Sequence, residues 1–154
     1  MTFSIRRATL ADVDVLIAHR RGMFHDMGYH DGAALDDMCA KFRPWLIAKM
    51  EAELYLAWVA VPSGETEIVA GAGLWIMEWP PHMVGRQARR GNVVNVYTAD
   101  AWRRRGLARR LMETILDWCR ANSLDVVVLH ASKDGRPLYE SMGFAATNEM
   151  RLLL

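Results

Sequence analysis

Cysteine is scarce in this chain: only Cys39 and Cys119 occur among 154 residues. Two do not make a disulfide framework or a zinc site, and a reduced, cytoplasmic setting fits. Long apolar runs are missing as well. None approaches the ~20 residues that span a bilayer, and the opening Met1-Thr2-Phe3-Ser4-Ile5-Arg6-Arg7 lacks the apolar core of a secretory leader. No membrane partner is expected. Charge of one sign is also lacking: 19 basic residues against 18 acidic leave +1, so no global field draws the chain to a polyanion. The five histidines (His19, His25, His30, His82 and His130) have no ligand spacing, so no metal is expected. Nor does a Ser/Gly linker, repeat or low-complexity tract divide the chain. At this length, 1–154 reads as one domain.

What is present concentrates between Asn92 and Met112. Val94, Val96 and Thr98 alternate with Asn95 and Tyr97, the pattern of a strand. A short polar turn, Ala99 to Trp102, follows. Arg103-Arg104-Arg105-Gly106-Leu107-Ala108 then opens a run whose apolar residues, Leu107, Leu111, Ile115 and Trp118, fall on one helix face. A strand feeding a helix through a basic, glycine-bearing turn suits phosphate. The first N–H groups of a helix have no intrahelical partner, and the macrodipole adds positive charge there. Arginine is misplaced at that end by dipole logic alone. Arg103, Arg104, Arg105, Arg109 and Arg110 together therefore point to an anion that offsets them.

Arg103-x-x-Gly106-x-Ala108 after a strand resembles the acyl-CoA pyrophosphate loop of the GCN5-related N-acetyltransferase (GNAT) superfamily. Leu138-Tyr139-Glu140-Ser141-Met142-Gly143-Phe144, at the expected distance downstream, resembles that family's second signature. The resemblance covers nearly all of the chain, more loosely before Asn92. It implies acetyl-CoA as co-substrate, transfer of its acetyl group to a primary amine of a small molecule or peptide, and no metal. Homodimerisation, common in that family, comes with it as an expectation.

The remaining residues fit one mixed, mostly antiparallel sheet with helices on both faces. Phe3, Ile5 and Arg7 alternate as a first strand. Thr9 and Asp12 form a capping box for a helix to about Phe24, with Val13, Leu16, Ile17 and Met23 buried and His19, Arg20 and Arg21 largely on its polar side. His25 to Gly32 reads as a loop, and a second helix is expected from Ala33 to Ala52, kinked or split at Pro44. Leu54–Val61 and Glu67–Trp79 form a hairpin around Pro62–Thr66. Gly71 and Gly73 mark a bulge or a close backbone approach, and 83–91 reads as an exposed loop. Asp125–Ala131 is expected as a strand buried on both faces, Asp134 as the cap of a short helix ending at Met142, and 144–154 as the strand closing the sheet. The order β-α-α-β-β-β-α-β-α-β is that of the resembled family, an α/β fold with a splayed central strand pair.

Roles follow from the resemblance. Val96, Tyr97 and Thr98 would hold the pantetheine amides, and the amides of Arg104, Arg105, Gly106, Leu107, Ala108 and Arg109 the pyrophosphate. Arg103 occupies the family's Gln/Arg position. Tyr139 matches the tyrosine that protonates the departing thiolate. Ser132 stands where an asparagine often meets the cofactor, and Asp100 where many members have proline. Phe24, Met27 and Tyr29 would line the acceptor side, with Trp75 and Asn95 across from them. The usual base positions hold Asn92 and Val127. Glu78 is the candidate base, with Asp26, or a water held by Asn95 or Tyr97, as alternatives. Two rivals remain: a non-catalytic acyl-CoA sensor, and a nucleic-acid-binding module using Arg103–Arg110. The second would need a basic surface larger than one turn, and no nucleic-acid partner is expected.

Overall fold

The computed structural model describes residues 1–154. Strand β1 (Phe3–Arg7) leads to the capping box that the spacing predicts. The Thr9 hydroxyl accepts the Ala11 N–H, and the Asp12 carboxylate accepts the Thr9 N–H at 2.8 Å. Asp12 also takes both terminal nitrogens of Arg6, at 2.8 and 2.9 Å, which is the main reason its carboxyl lies below the usual range. One 3-10 turn then enters α1 (Val13–Asp26), followed by α2 (Gly32–Glu51). Pro44 removes one N–H from α2, yet the helix continues through it as a single element.

Strands β2 (Tyr55–Pro62), β3 (Ala70–Glu78) and β4 (Arg89–Thr98) continue the sheet antiparallel. Helix α3 (Leu107–Ala121) crosses over to β5 (Val127–Leu129), which pairs parallel to β4, and α4 (Arg136–Ser141) follows. Strand order in space equals chain order, β1 to β5. Alternation along β2 sorts the core. Tyr55, Ala57 and Val59 meet Leu16, Ile17, Phe42 and Leu46 of α1 and α2 on one face. Leu56, Trp58 and Ala60 meet Leu107, Leu111 and Ile115 of α3 on the other. No helix is long and apolar enough to cross a membrane.

Two features of β4 position the site. Its pairing with β5 runs only from Gly91↔Val127 to Val93↔Leu129, so beyond Val93 that edge of β4 has no strand across from it. Its pairing with β3 slips between Gly71 and Gly73, where Asn95 takes a left-handed backbone, φ 57°. This is a β-bulge, one extra residue that bends the strand. It breaks the alternation expected from Val94 to Thr98: Val94 packs with the α1/α2 cluster and Val96 with the α3 cluster.

The structure corrects three other expectations. Residues 144–154 form no strand. Phe144 packs on Tyr139 and Glu149 meets His130 at 2.8 Å, while Leu152, Leu153 and Leu154 are 80%, 83% and 114% exposed. Three consecutive leucines lack the alternation that would send one face inward. Strand β5 is three residues long, half-buried and at the sheet edge, rather than covered on both faces. His19 and Arg20, expected on the polar side of α1, turn inward. His19 is only 6% exposed, its Nδ1 lying 2.9 Å from where a Cβ on Gly71 would stand.

Candidate functional site

The turn between β4 and α3 presents bare backbone. Gly106 adopts φ 75°, and Arg104 before it φ 60°. No side chain caps α3. The Arg103 N–H donates to the Asp100 carbonyl at 3.3 Å and that of Arg110 to the Gly106 carbonyl at 3.1 Å; the backbone N–H groups between them, Arg104 through Arg109, have no protein acceptor. A Cβ on Gly106 would meet nothing within 4 Å, so the space above the turn is open. The arginines divide in two. Arg103 donates through Nε to the Thr98 carbonyl at 2.9 Å and pairs through Nη2 with Asp26 and with Asp100. Arg109 donates to the Ser141 hydroxyl at 2.7 Å, and Arg110 to the Phe3 carbonyl at 3.1 Å. Arg104 has no side-chain partner, and Arg105 reaches only the Ala101 carbonyl at 3.4 Å while lying over Trp102. Three arginines are thus held by the protein frame, and Arg104 and Arg105 are left free or nearly so.

The Arg109–Ser141 bond ties the first turn of α3 to α4, which carries Tyr139. The Tyr139 ring is sunk in the α3-side core, 8% exposed, beside Phe144. Its hydroxyl has no protein partner, yet it is not among the sealed polar atoms. Burial raises its pKa above the ordinary value, which keeps the phenol protonated. Ser132 accepts the Gly135 N–H at 3.1 Å. Asp134 does not cap α4: Gly135 is the residue before the helix, and no side chain caps it.

Across β4, the bulge turns Asn95 toward α1. Asn95 is 6% exposed; its Oδ1 accepts from Arg20 Nη1 at 2.7 Å and its Nδ2 donates to the Tyr55 hydroxyl at 2.9 Å. Tyr55 fits because Gly73 lacks a side chain, and its pKa is pushed up to about 12, mainly by burial. The Arg20 guanidinium lies over the rings of Phe42, at 4.5 Å, and Phe24, at 5.0 Å. Phe24 meets Tyr29 edge-on at 5.5 Å, and Trp75 reaches the same group through Trp45 and Tyr55. Phe24, Tyr29, Trp75 and Asn95 are thus linked through ring and hydrogen-bond contacts, with Tyr29 exposed at one end; Met27, also exposed, follows the end of α1 without a ring contact. Tyr97 crosses over Gly22, whose absent side chain makes room for the ring, and stacks near His19 at 5.1 Å. Burial is the largest cause of its raised pKa.

Glu78 is not brought to this place. It pairs with Arg89, six residues before Asn95 on β4, which at ~3.3 Å per residue is roughly 20 Å from the bulge. Its position at the end of a hairpin suggested the cleft, but the register puts that end on the far side. Asp26 does lie near the turn, engaged by Arg103. Cys119 is buried and its thiol is pushed up to about 11 by burial, which leaves it unreactive. Arg20, His19 and Tyr55 are the members that sequence reasoning missed; the signal was Gly71 and Gly73, two gaps on one face of β3.

Comparison with known proteins is consistent with this geometry. The model of the "Acetyltransferase (GNAT) family" matches residues 23–144. The solved structure of a GCN5-related N-acetyltransferase from Ralstonia eutropha JMP134 superposes with a TM-score of 0.93 at 32% identity over 99% of both chains. A "predicted acetyltransferase with acetyl-CoA" from Clostridium acetobutylicum gives 0.89 at 25% identity, over 99% of this chain and 96% of that one. A ribosomal-protein-alanine N-acetyltransferase from Brucella melitensis biovar Abortus 2308 shares the fold, with a TM-score of 0.68 at 20% identity over 99% of each chain. No curated protein matches the sequence.

Proposed function

Since the chain belongs to the acetyltransferase (GNAT) family, we propose that it transfers the acetyl group of acetyl-CoA to a primary amine of a small molecule or peptide by direct attack. The observation that carries this is the row of unpartnered N–H groups from Arg104 to Arg109 at the start of α3. A diphosphate satisfies them and gains the helix dipole, while Arg104 and Arg105 add charge-assisted contacts. The unpaired edge of β4 from Val96 to Thr98 then takes the pantetheine arm by strand-like hydrogen bonding, and Ser132 lies on the opposite bank.

The reacting carbon sits between this edge and Tyr139. A β4 backbone N–H polarises the thioester carbonyl. The amine nitrogen forms its bond to that carbon, the carbon–sulfur bond breaks, and the Tyr139 phenol gives its proton to the departing sulfur. The nitrogen's surplus proton leaves to solvent, and the Tyr139 phenolate takes one proton back from solvent, so the enzyme ends as it began. With Glu78 remote and Asp26 engaged by Arg103, no free carboxylate faces the bulge, so the amine reacts in its neutral form.

The test is release of free thiol from acetyl-CoA in the presence of an amine panel, with the product examined for N-acetylation. Amine-dependent release is expected. Tight acetyl-CoA binding with no amine-dependent release would favour the acyl-CoA sensor.

A further inference from the structure

Most arginines with side-chain partners in this protein meet a carboxylate: Arg6, Arg21, Arg43, Arg103, Arg120 and Arg136 each hold one. Arg109, on the exposed Ser141 hydroxyl, and Arg20 are the exceptions, and of the two only Arg20 has a sealed, unpartnered guanidinium nitrogen. Its head is half-buried between Phe24 and Phe42, and its one hydrogen-bond partner is the neutral Asn95 amide. Its Nε is buried with no acceptor at all. Nη2 has no protein partner either, but it is not sealed in. The ionisable groups that act on Arg20 are Tyr55 and Cys39, both ordinarily neutral, and burial disfavours the charge. A guanidinium stays charged under all ordinary conditions. Removing that charge from water without a counter-ion is unfavourable unless something else supplies one.

The location says what that something is. Asn95 joins Arg20 to β4 two residues before Tyr97, on the strand whose open edge faces the acyl donor. An anion on Nη2 therefore lies on the acceptor side of the transfer site, with aromatic surface around it. Resting on the acetyl-transfer reading, we propose that the acceptor is an amino carboxylate, its carboxylate held by Arg20 and its apolar portion by the neighbouring Phe24 and Tyr29. Arg20 then selects the substrate, and Asn95 is the positioning residue that aims it. The rings over the guanidinium keep water off the ion pair, which strengthens it.

The experiment compares leucine, methionine and phenylalanine with their carboxamides as acceptors for acetyl-CoA. The free acids are expected to show kcat/KM about tenfold to a hundredfold above the amides, the range for a charge-assisted hydrogen bond. Arg20→Met should abolish that ratio, free acids and amides then being used alike by the variant. Acids and amides used alike by the wild type, or a preference that survives Arg20→Met, would overturn the inference. The wild-type ratio decides even if the variant fails to fold. Where turnover is absent, calorimetry of the N-acetyl acids against the N-acetyl amides, with CoA present, gives the same discrimination. Acetylation of uncharged amines alone would sink this inference and leave acetyl transfer standing; failure to bind acetyl-CoA would remove both.

Discussion

Tyr139→Phe separates a catalytic hydroxyl from a structural one, and the two roles predict opposite results. The ring is held in the α3-side core by Phe144, with its edge close to Gly135; phenylalanine keeps that packing. The hydroxyl makes no hydrogen bond to protein, so its removal orphans nothing. Stability should move by no more than about 0.5 kcal/mol, which for a domain of this size is about 1–2 °C in Tm. The proton that leaves with the thiol has no other source on the α4 side, and loss of a general acid lowers turnover by roughly 10²-fold or more. CoA affinity should stay within about twofold, because the proposed phosphate contacts are on α3 and not on α4. Stopped thiol release, calorimetry with CoA and thermal denaturation read the three quantities. Burial raises the phenol's pKa, so wild-type turnover should climb with pH as the amine deprotonates and should not fall before the ordinary tyrosine range, about 10. A variant with kcat within twofold of wild type, or with equal losses in kcat and CoA affinity, refutes the acid assignment.

Three other perturbations follow from packing and burial. Gly106→Ala meets no atom within 4 Å but must hold φ 75°, so it should cost about 1 kcal/mol of stability while weakening CoA binding more than tenfold; unchanged affinity in calorimetry would show that the anion lies elsewhere. Gly73→Ala overlaps the Tyr55 ring and hydroxyl and should lower stability by about 3 kcal/mol, whereas Gly32→Ala, with Arg21 Nη2 at 3.9 Å as its nearest neighbour, should be neutral in the same melt. Burial lowers the His19 pKa from 6.5 to about 4, so the unfolded chain binds the proton more tightly. The stabilisation is complete above about pH 6.5 and is lost as pH falls toward 4, amounting to about 2 kcal/mol by pH 5. Denaturant melts of wild type and His19→Phe should therefore converge on acidification, and curves parallel in pH would refute it.

Local signals were legible and distant ones were not. The Thr9–Asp12 box, the Leu107–Leu111–Ile115 face and the open turn at Gly106 each depend on residues within a few positions of one another, and all three appear in the structure. His19 and Arg20 defeat the helix period because what they meet, the gap at Gly71 and the bulge at Asn95, lies more than fifty positions away. The bulge is announced from the partner strand: the register slips between Gly71 and Gly73, while on β4 an asparagine tolerates the left-handed backbone and is held there by Arg20 and Tyr55. Glu78 shows the converse limit. Its carboxylate was chemically suitable, but the hairpin register, not its composition, decides which end of β4 it meets. The C-terminal segment failed for want of a partner: apolar content alone does not supply an edge to pair with.

The arginine-rich turn looked unfavourable because positive side chains meet the positive end of a helix dipole. The structure resolves this by giving most of those charges other duties. Arg103 joins the end of α1, through Asp26, to the end of β4, through the Thr98 carbonyl. Arg109 joins α3 to α4, and Arg110 joins α3 to β1. These bonds fix the outline of the turn without using a single backbone N–H from Arg104 to Arg109. Had the side chains folded back on the backbone, the turn would have satisfied itself and left nothing for a ligand. Because they reach outward instead, the backbone N–H groups and the Arg104 guanidinium are left open to the same solvent space, where one anion would meet both.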